Sequence, residues 1–222
     1  MGRRAAEHGP SAGTGGPEGA LGPLAARPST RERILEVAIE QLAAGGEAAV
    51  RIDEVRARAD VSIGSLYHHF GDRDGLIVAA QLRRFARYAE AEIAALADLV
   101  QEARDVDEFR SAVLRLTRDT ASELRTAVRW GRVGVLASTV GREPLAAEVR
   151  AIQTRLTDEL HAHVAQGQAR GFFRSDLDPR AVGLFVEAYS LGLCLNDVDE
   201  RPVDEDAWER VVATVIDALL AD

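Results

Sequence analysis

Residues 51–73 read RIDEVRARADVSIGSLYHHFGDR, and the rest of the chain is organised around this stretch. Ile52, Val55 and Ala59 recur at i, i+3 and i+7, the spacing of one helical face. Val61, Leu66 and Phe70 supply an apolar counterpart on a second short helix. Between them Ala59-Asp60-Val61-Ser62 forms a turn ending in Ser62, a side chain well suited to capping a helix N-terminus. The pattern therefore predicts two short helices joined by a tight turn, with a third helix starting near Asp72. The outward side of the second carries Ile63, Gly64, Ser65, Tyr67, His68 and His69. It is small where it begins, then aromatic and rich in hydrogen-bonding groups. A helix-turn-helix needs such a face, because its second helix enters the major groove and its early residues meet base edges.

Roles follow from side-chain chemistry. Tyr67 and His68 can both donate and accept hydrogen bonds, which suits them to base or backbone contact. Ile63 could rest on a thymine methyl. His69 is expected to meet a phosphate. Arg73, in the first turn of the third helix, could pair with a phosphate beside that helix's N-terminus. Ser62 and Ser65 are further phosphate or base partners, and Arg51 is a phosphate contact at the start of the first helix.

The run VSIGSLYHHFGDRDGL from Val61 to Leu76, preceded by a helical segment from Ser29 to Ala44, resembles the TetR family of one-component bacterial transcriptional regulators. The close likeness spans Thr30 to Leu82; beyond it only the helical pattern is shared. Three positions depart from the family's pattern. Arg51 stands where a Thr or Ser cap is usual, so that helix start must be capped otherwise. Arg56 replaces a small residue. Asp60 replaces a turn glycine, and Asp accepts the left-handed conformation better than most residues. The resemblance implies a DNA-binding domain joined to a divergent effector domain that dimerises through its last helices. It points most directly to Tyr67, His69 and Arg73.

Length and composition bound the remaining classes. The 222 residues suffice for one large or two small domains. A net charge of −9 excludes a protein that coats nucleic acid by bulk attraction, so phosphate contact must come from placed groups. All 27 basic residues are arginine. The lone cysteine, Cys194, fits a reducing compartment. No apolar run is long enough to cross a bilayer, and a cytoplasmic protein with no membrane partner is expected. Residues 1–28, rich in Gly, Pro and Ala, read as a disordered arm whose Arg3 and Arg4 could reach a minor groove.

No segment alternates as a strand would, so the expected fold is all-α with about nine helices. Residues 29–76 form the helix-turn-helix domain, and residues 77–222 form the effector-binding and dimerisation domain. A helix from Asp72 to about Leu99 links them. The segment from Pro179 to about Asn196 is apolar all round, which requires burial on both sides. With the final helix it predicts a four-helix interface about a twofold axis. The residues assigned to that interface are Val182, Phe185, Val186, Tyr189 and Leu193, with Trp208, Val212, Val215 and Leu219. The resemblance implies a ligand pocket in this domain; Phe109, Trp130, Leu136, Phe185 and Tyr189 are candidates to line it or to belong to the core, and the apolar inner faces suggest a lipophilic small-molecule effector.

Enzyme signals are weak. His161 and His163 lie two apart and face different directions, unlike the i, i+4 pair of a helical metal site. No catalytic set, metal or cofactor is expected. The sequence thus reads as a homodimeric, ligand-responsive repressor on a palindromic operator in double-stranded DNA. An effector-independent DNA-binding protein and an all-helical enzyme or carrier are the alternatives.

Overall fold

The structure, a computed structural model, describes residue 1 and residues 28–221. The arm expected over residues 1–28, with Arg3 and Arg4, lies almost wholly outside the described residues. Ten α-helices follow one another: α1 Thr30–Gly45, α2 Ile52–Arg58, α3 Ile63–Phe70, α4 Arg73–Glu102, α5 Val106–Ala121, α6 Thr126–Ser138, α7 Glu143–Ala169, α8 Pro179–Gly192, α9 Cys194–Asp197 and α10 Glu205–Leu219. Nine are longer than a single turn and α9 has four residues, so the all-α fold has the expected number of elements. Two 3-10 turns, Glu47–Ala49 and Glu123–Arg125, join α1 to α2 and α5 to α6. The extended pairing among the described residues is one isolated bridge, Phe173 to Leu220.

Local chemistry sets most helix starts. Ser29 forms a reciprocal capping box with Glu32, accepting from its N–H at 3.2 Å while its own N–H donates to Glu32 Oε2 at 2.7 Å. Asp72, Asp105, Asp178 and Asp204 cap α4, α5, α8 and α10 through side-chain oxygens. Pro144 and Pro179 occupy first-turn positions, where a missing N–H costs nothing.

Three apolar clusters result. The N-terminal one joins α1, α2 and α3 to the start of α4 around the fully buried Ile34, Val55, Leu66 and Leu76. A small cluster of Phe85, Val135, Leu145 and Val149 lies at the middle of α4, against α6 and α7. The largest is centred on Phe109, Leu156, Leu160 and Val164. Burying a side chain such as Leu66 is worth about 1.5–3 kcal/mol.

The body differs in detail from the bounds read along the chain. Leu124 projects from the second 3-10 turn and is exposed, and α6 begins at Thr126. The linking helix runs past Leu99 to Glu102. The segment after Gly171 is part of the core. Phe172 stacks on Phe109 with centroids 4.9 Å apart, and Phe173 meets the same ring edge-on at 5.1 Å. Ala221 N–H donates to Phe172 O at 3.0 Å, tying the end of the chain over these rings.

A charged group is buried where α4, α6, α7 and α8 meet. Arg132 bonds Glu92, lies 3.9 Å from Glu187, and leaves its own Nε and Glu92 Oε2 without partners. Glu187 also accepts from Gln153 Nε2 at 2.6 Å. Two carboxylates thus share one guanidinium in a poorly solvated place. Burial chiefly, and the charge of Glu187 in part, push the Glu92 carboxyl up to about 7 against the pull of Arg132. A carboxyl raised in the folded state binds more protons there than when unfolded. Its stabilisation is complete below about pH 4.5 and is lost as pH rises through about 7. Unfolding free energy should therefore fall between pH 5 and pH 8 by about 1–3 kcal/mol from this group. Urea titrations at both pH values should show that increment vanish in Glu92→Gln.

Candidate nucleic-acid interface and effector pockets

The helix-turn-helix is assembled by polar ties that leave one face of α3 bare. Ser62 accepts from Ser65 N–H at 3.1 Å and caps α3, so its hydroxyl is occupied within the unit. Asp60 adopts φ 52°, the left-handed conformation the turn requires. Arg33 Nε donates to Ala59 O at 3.2 Å, satisfying a carbonyl at the end of α2 from across the domain. Gln41, buried in α1, ties the start of α2 to α1, although no side chain caps the first amides of α2. Its Oε1 accepts from Arg51 N–H at 3.1 Å while its Nε2 donates to Glu54 at 3.0 Å. Arg31 lies over the Phe70 ring at 5.4 Å.

Leu66 is the side chain of α3 fully enclosed. Ile63, Gly64, Tyr67, His68 and His69 are exposed, and Ser65 is half-buried. Ile63 and Tyr67 retain 47% and 42% of their surface, large values for apolar and aromatic side chains on a packed helix. With Gly64 and His68 they make a contiguous stripe, one turn apart. His68 and His69 meet edge-on at 5.5 Å at its far end.

Of the two arginines, Arg73 is engaged within the chain and Arg51 stays exposed. Arg73 donates through Nε to Val50 O at 3.0 Å and through Nη2 to Glu47 O at 2.5 Å. Its guanidinium is committed to holding the segment that leads into α2, so it is first a positioning group. Arg51 is exposed beside Glu54 at 4.0 Å. Sequence reading overlooked Arg33 and Gln41, because a tie between side chain and backbone across 26 or 10 residues leaves no local pattern.

The N-terminal helices are joined to the body by Arg142, which follows α6. It donates to both oxygens of Glu47 at 2.7 and 2.8 Å and lies 3.3 Å from Asp74. Arg142 holds the Glu47 carboxyl below its ordinary range.

Two cavities flank the body. One of about 1050 Å³ lies between α5, α6, α8 and α10 and contains Tyr189, Leu193 and Trp208. Tyr189 and Trp208 stack there with centroids 6.1 Å apart. The other, about 860 Å³, is a cleft between the end of α1 and α6, crossed by α4, and includes Trp130. The five expected pocket residues are therefore scattered. Tyr189 and Trp130 line different cavities, Phe109 is fully enclosed in the core, and Leu136 and Phe185 are exposed outside both.

The expected dimer face is also divided. Val182, Leu193 and Val212 are buried within the chain, and Tyr189, Trp208, Val215 and Leu219 are half-buried. What α8 and its continuation turn outward is Leu184, Phe185, Ala188, Gly192 and Leu195, with Val186 at the margin. Glu187, buried in bonds to Gln153 and Thr157, orients α8 so that this side faces out.

Comparisons agree with this geometry. Residues 34–80 match the profile of the bacterial regulatory proteins of the tetR family. The HTH-type transcriptional repressor KstR of Mycolicibacterium smegmatis is 41% identical over 81 residues, 36% of this chain and 39% of that protein. The match thus spans about two-fifths of that relative's length. Among solved structures, the multidrug binding protein EbrR, complexed with imidazole, superposes with TM-score 0.57 at 26% identity, covering 86% of this chain and 96% of that one. Salmonella enterica GusR gives TM-score 0.60 at 21% identity, covering 86% and 95%. An N-terminal helix-turn-helix carried on an all-helical body is the class this chain represents. Residues 34–80 are thus similar to the N-terminal segment of the TetR family of bacterial regulatory proteins. The curated relatives are named transcriptional repressors.

Gly75 marks how closely α3 and α4 meet. A Cβ there would fall well inside van der Waals contact with the Phe70 carbonyl oxygen, which is backbone and cannot turn away. Gly75→Ala should cost the N-terminal domain about 1–3 kcal/mol. Hydrogen exchange should show loss of protection in α2 and α3 while α7 and α8 remain protected.

Proposed function

We propose that this chain is a homodimeric, effector-responsive transcriptional repressor that presents α3 to the major groove of a palindromic operator. One observation carries the proposal: Ile63, Gly64, Tyr67 and His68 stand exposed together on a helix whose Leu66 and Phe70 pack into the N-terminal cluster. Ile63 meets a thymine methyl, and Tyr67 and His68 meet base edges or backbone. His69, Ser65 and Arg51 lie where phosphates pass, and the capped α3 N-terminus offers amide dipoles to them. Arg73 contributes by holding residues 47–50, and Ser62 by capping α3. The names of the curated relatives, which are repressors, support the sign of regulation.

The outward stripe of Leu184, Phe185, Ala188 and Leu195, with Val211 on α10, supports self-association about a twofold axis. A large apolar surface left in water favours burial against an identical copy. The effector, a small molecule with an apolar body, enters the 1050 Å³ cavity against Tyr189 and Trp208. Its binding favours a state in which the two α3 helices are wrongly spaced, to the extent of its differential affinity for the two states. Such a regulator works where the operator is, in the cytoplasm. Among the described residues no helix is long and apolar enough to cross a membrane.

Selection of bound genomic fragments by the full chain should enrich a palindrome. On that sequence Tyr67→Ala should bind about 10- to 100-fold more weakly, a loss of roughly 1–3 kcal/mol, with the oligomeric state unchanged. Equal affinity of the two proteins would refute the assignment of α3. Leu184→Asp combined with Leu195→Asp should convert the dimer to monomer in sedimentation; a dimer that survives would place the interface elsewhere.

A further inference from the structure

The cleft at the junction of the two halves contains a cation without a counter-charge. Arg84, on α4, is 9% exposed. Among the described residues it forms no ion pair, and its hydrogen-bond partner is the neutral Oε1 of Gln81 at 3.2 Å. The other guanidinium of the cleft, Arg142, is already bound by Glu47 and Asp74. Arginine cannot escape burial by losing its proton. A largely buried guanidinium with no ion-pair partner is set to take an anion that can reach it. Arg84 lines an 860 Å³ opening, within the roughly 300–1,000 Å³ range of small-molecule sites.

The walls determine what fits. Trp130 is 40% exposed at the rim, and Ala43, Val128 and Val140 add apolar surface. Gly131 forms the floor. A Cβ there would lie 3.0 Å from Arg84 Nη2 and inside contact with the Tyr88 hydroxyl, so glycine is what lets both polar groups reach this point. A guanidinium and a phenol at the base of an apolar slot match a carboxylate with an apolar or aromatic tail, bound through charge-assisted hydrogen bonds.

We infer that this interdomain cleft is a second small-molecule site, distinct from the Tyr189 cavity, and that it takes a small organic monocarboxylate whose anionic end pairs with Arg84. The ligand would lie between α6 and the end of α1, in contact with both halves of the chain.

The probes are 4-phenylbutanoate and its uncharged amide, titrated into the unaltered full chain by calorimetry. Fluorescence of Trp130 in Trp208→Phe, which leaves one tryptophan, locates the binding. The acid should bind at least about tenfold more tightly than the amide and should change Trp130 emission. Arg84→Gln should abolish that preference, and Arg84→Lys should retain part of it. Tyr189→Ala, which alters the other cavity, should leave the acid-to-amide ratio unchanged whether or not that cavity holds an effector. Equal binding of acid and amide, a preference that survives Arg84→Gln or disappears in Tyr189→Ala, or absence of acid binding at about 1 mM would each overturn the proposal. The comparison of acid with amide decides the matter on the unaltered protein even if Arg84→Gln does not fold.

Discussion

A single helix belongs to every core of this molecule. α4 has 30 residues, about 45 Å of helix. Its first turns give Leu76, Ile77 and Ala80 to the N-terminal cluster, its middle gives Phe85 to the small central one, and its second half gives Ala89, Leu96 and Val100 to the largest. Close-packed interiors do not deform continuously. A displacement of α4 within the body must therefore move the seat of α3, and a displacement of α3 must be felt in the body. The cleft beside Arg84 borders α4 itself and the end of α1, whereas the cavity at Tyr189 borders α5, α6, α8 and α10 and reaches the N-terminal unit only through the helices packed on α4.

Arginine in this chain works as a set of ties more than as a positive surface. Arg33 and Arg73 hold backbone carbonyls around the helix-turn-helix, and Arg142 clamps Glu47 across the junction. The planar fork of the guanidinium suits it to bind two acceptors at once. These ties let a chain of net charge −9 build an exposed recognition face, since the face needs shape and a few placed donors rather than bulk attraction. The acidic remainder opposes nonspecific adhesion to the phosphate backbone.

The interior charges have a common logic. Arg132 with Glu92 and Glu187, and Arg84 without any carboxylate, lie on the two helices that face each other across the body, α4 and α6, and on their neighbours. Apolar side chains would have stabilised these positions more cheaply. These charges place a carboxyl raised by burial at one point of the α4–α6 contact and a guanidinium facing a cleft at another.

Much of this was legible along the chain. The spacing of Ile52, Val55, Ala59 and Leu66, with Ser62 as cap, determined the helix-turn-helix, because helical periodicity and capping are local properties. The same locality made Asp60 readable as the left-handed turn residue. The bare face of α3 was readable too, since the residues left after the apolar stripe is removed must point outward. What the sequence could not decide was every arrangement set by distant partners. Phe109 has the character of a pocket residue and is a core residue because Phe172 and Phe173 return to cover it. Val182 and Leu193 of the expected dimer stripe are buried within the chain while Phe185 and Val186 face out, because Glu187, a single charge in an apolar helix, finds Gln153 and Thr157 inside. Arg73 binds the carbonyls of Glu47 and Val50 because the segment leading into α2 comes to rest beside it. Local pattern chooses the elements, and only the packed chain determines which side of each is left for another molecule.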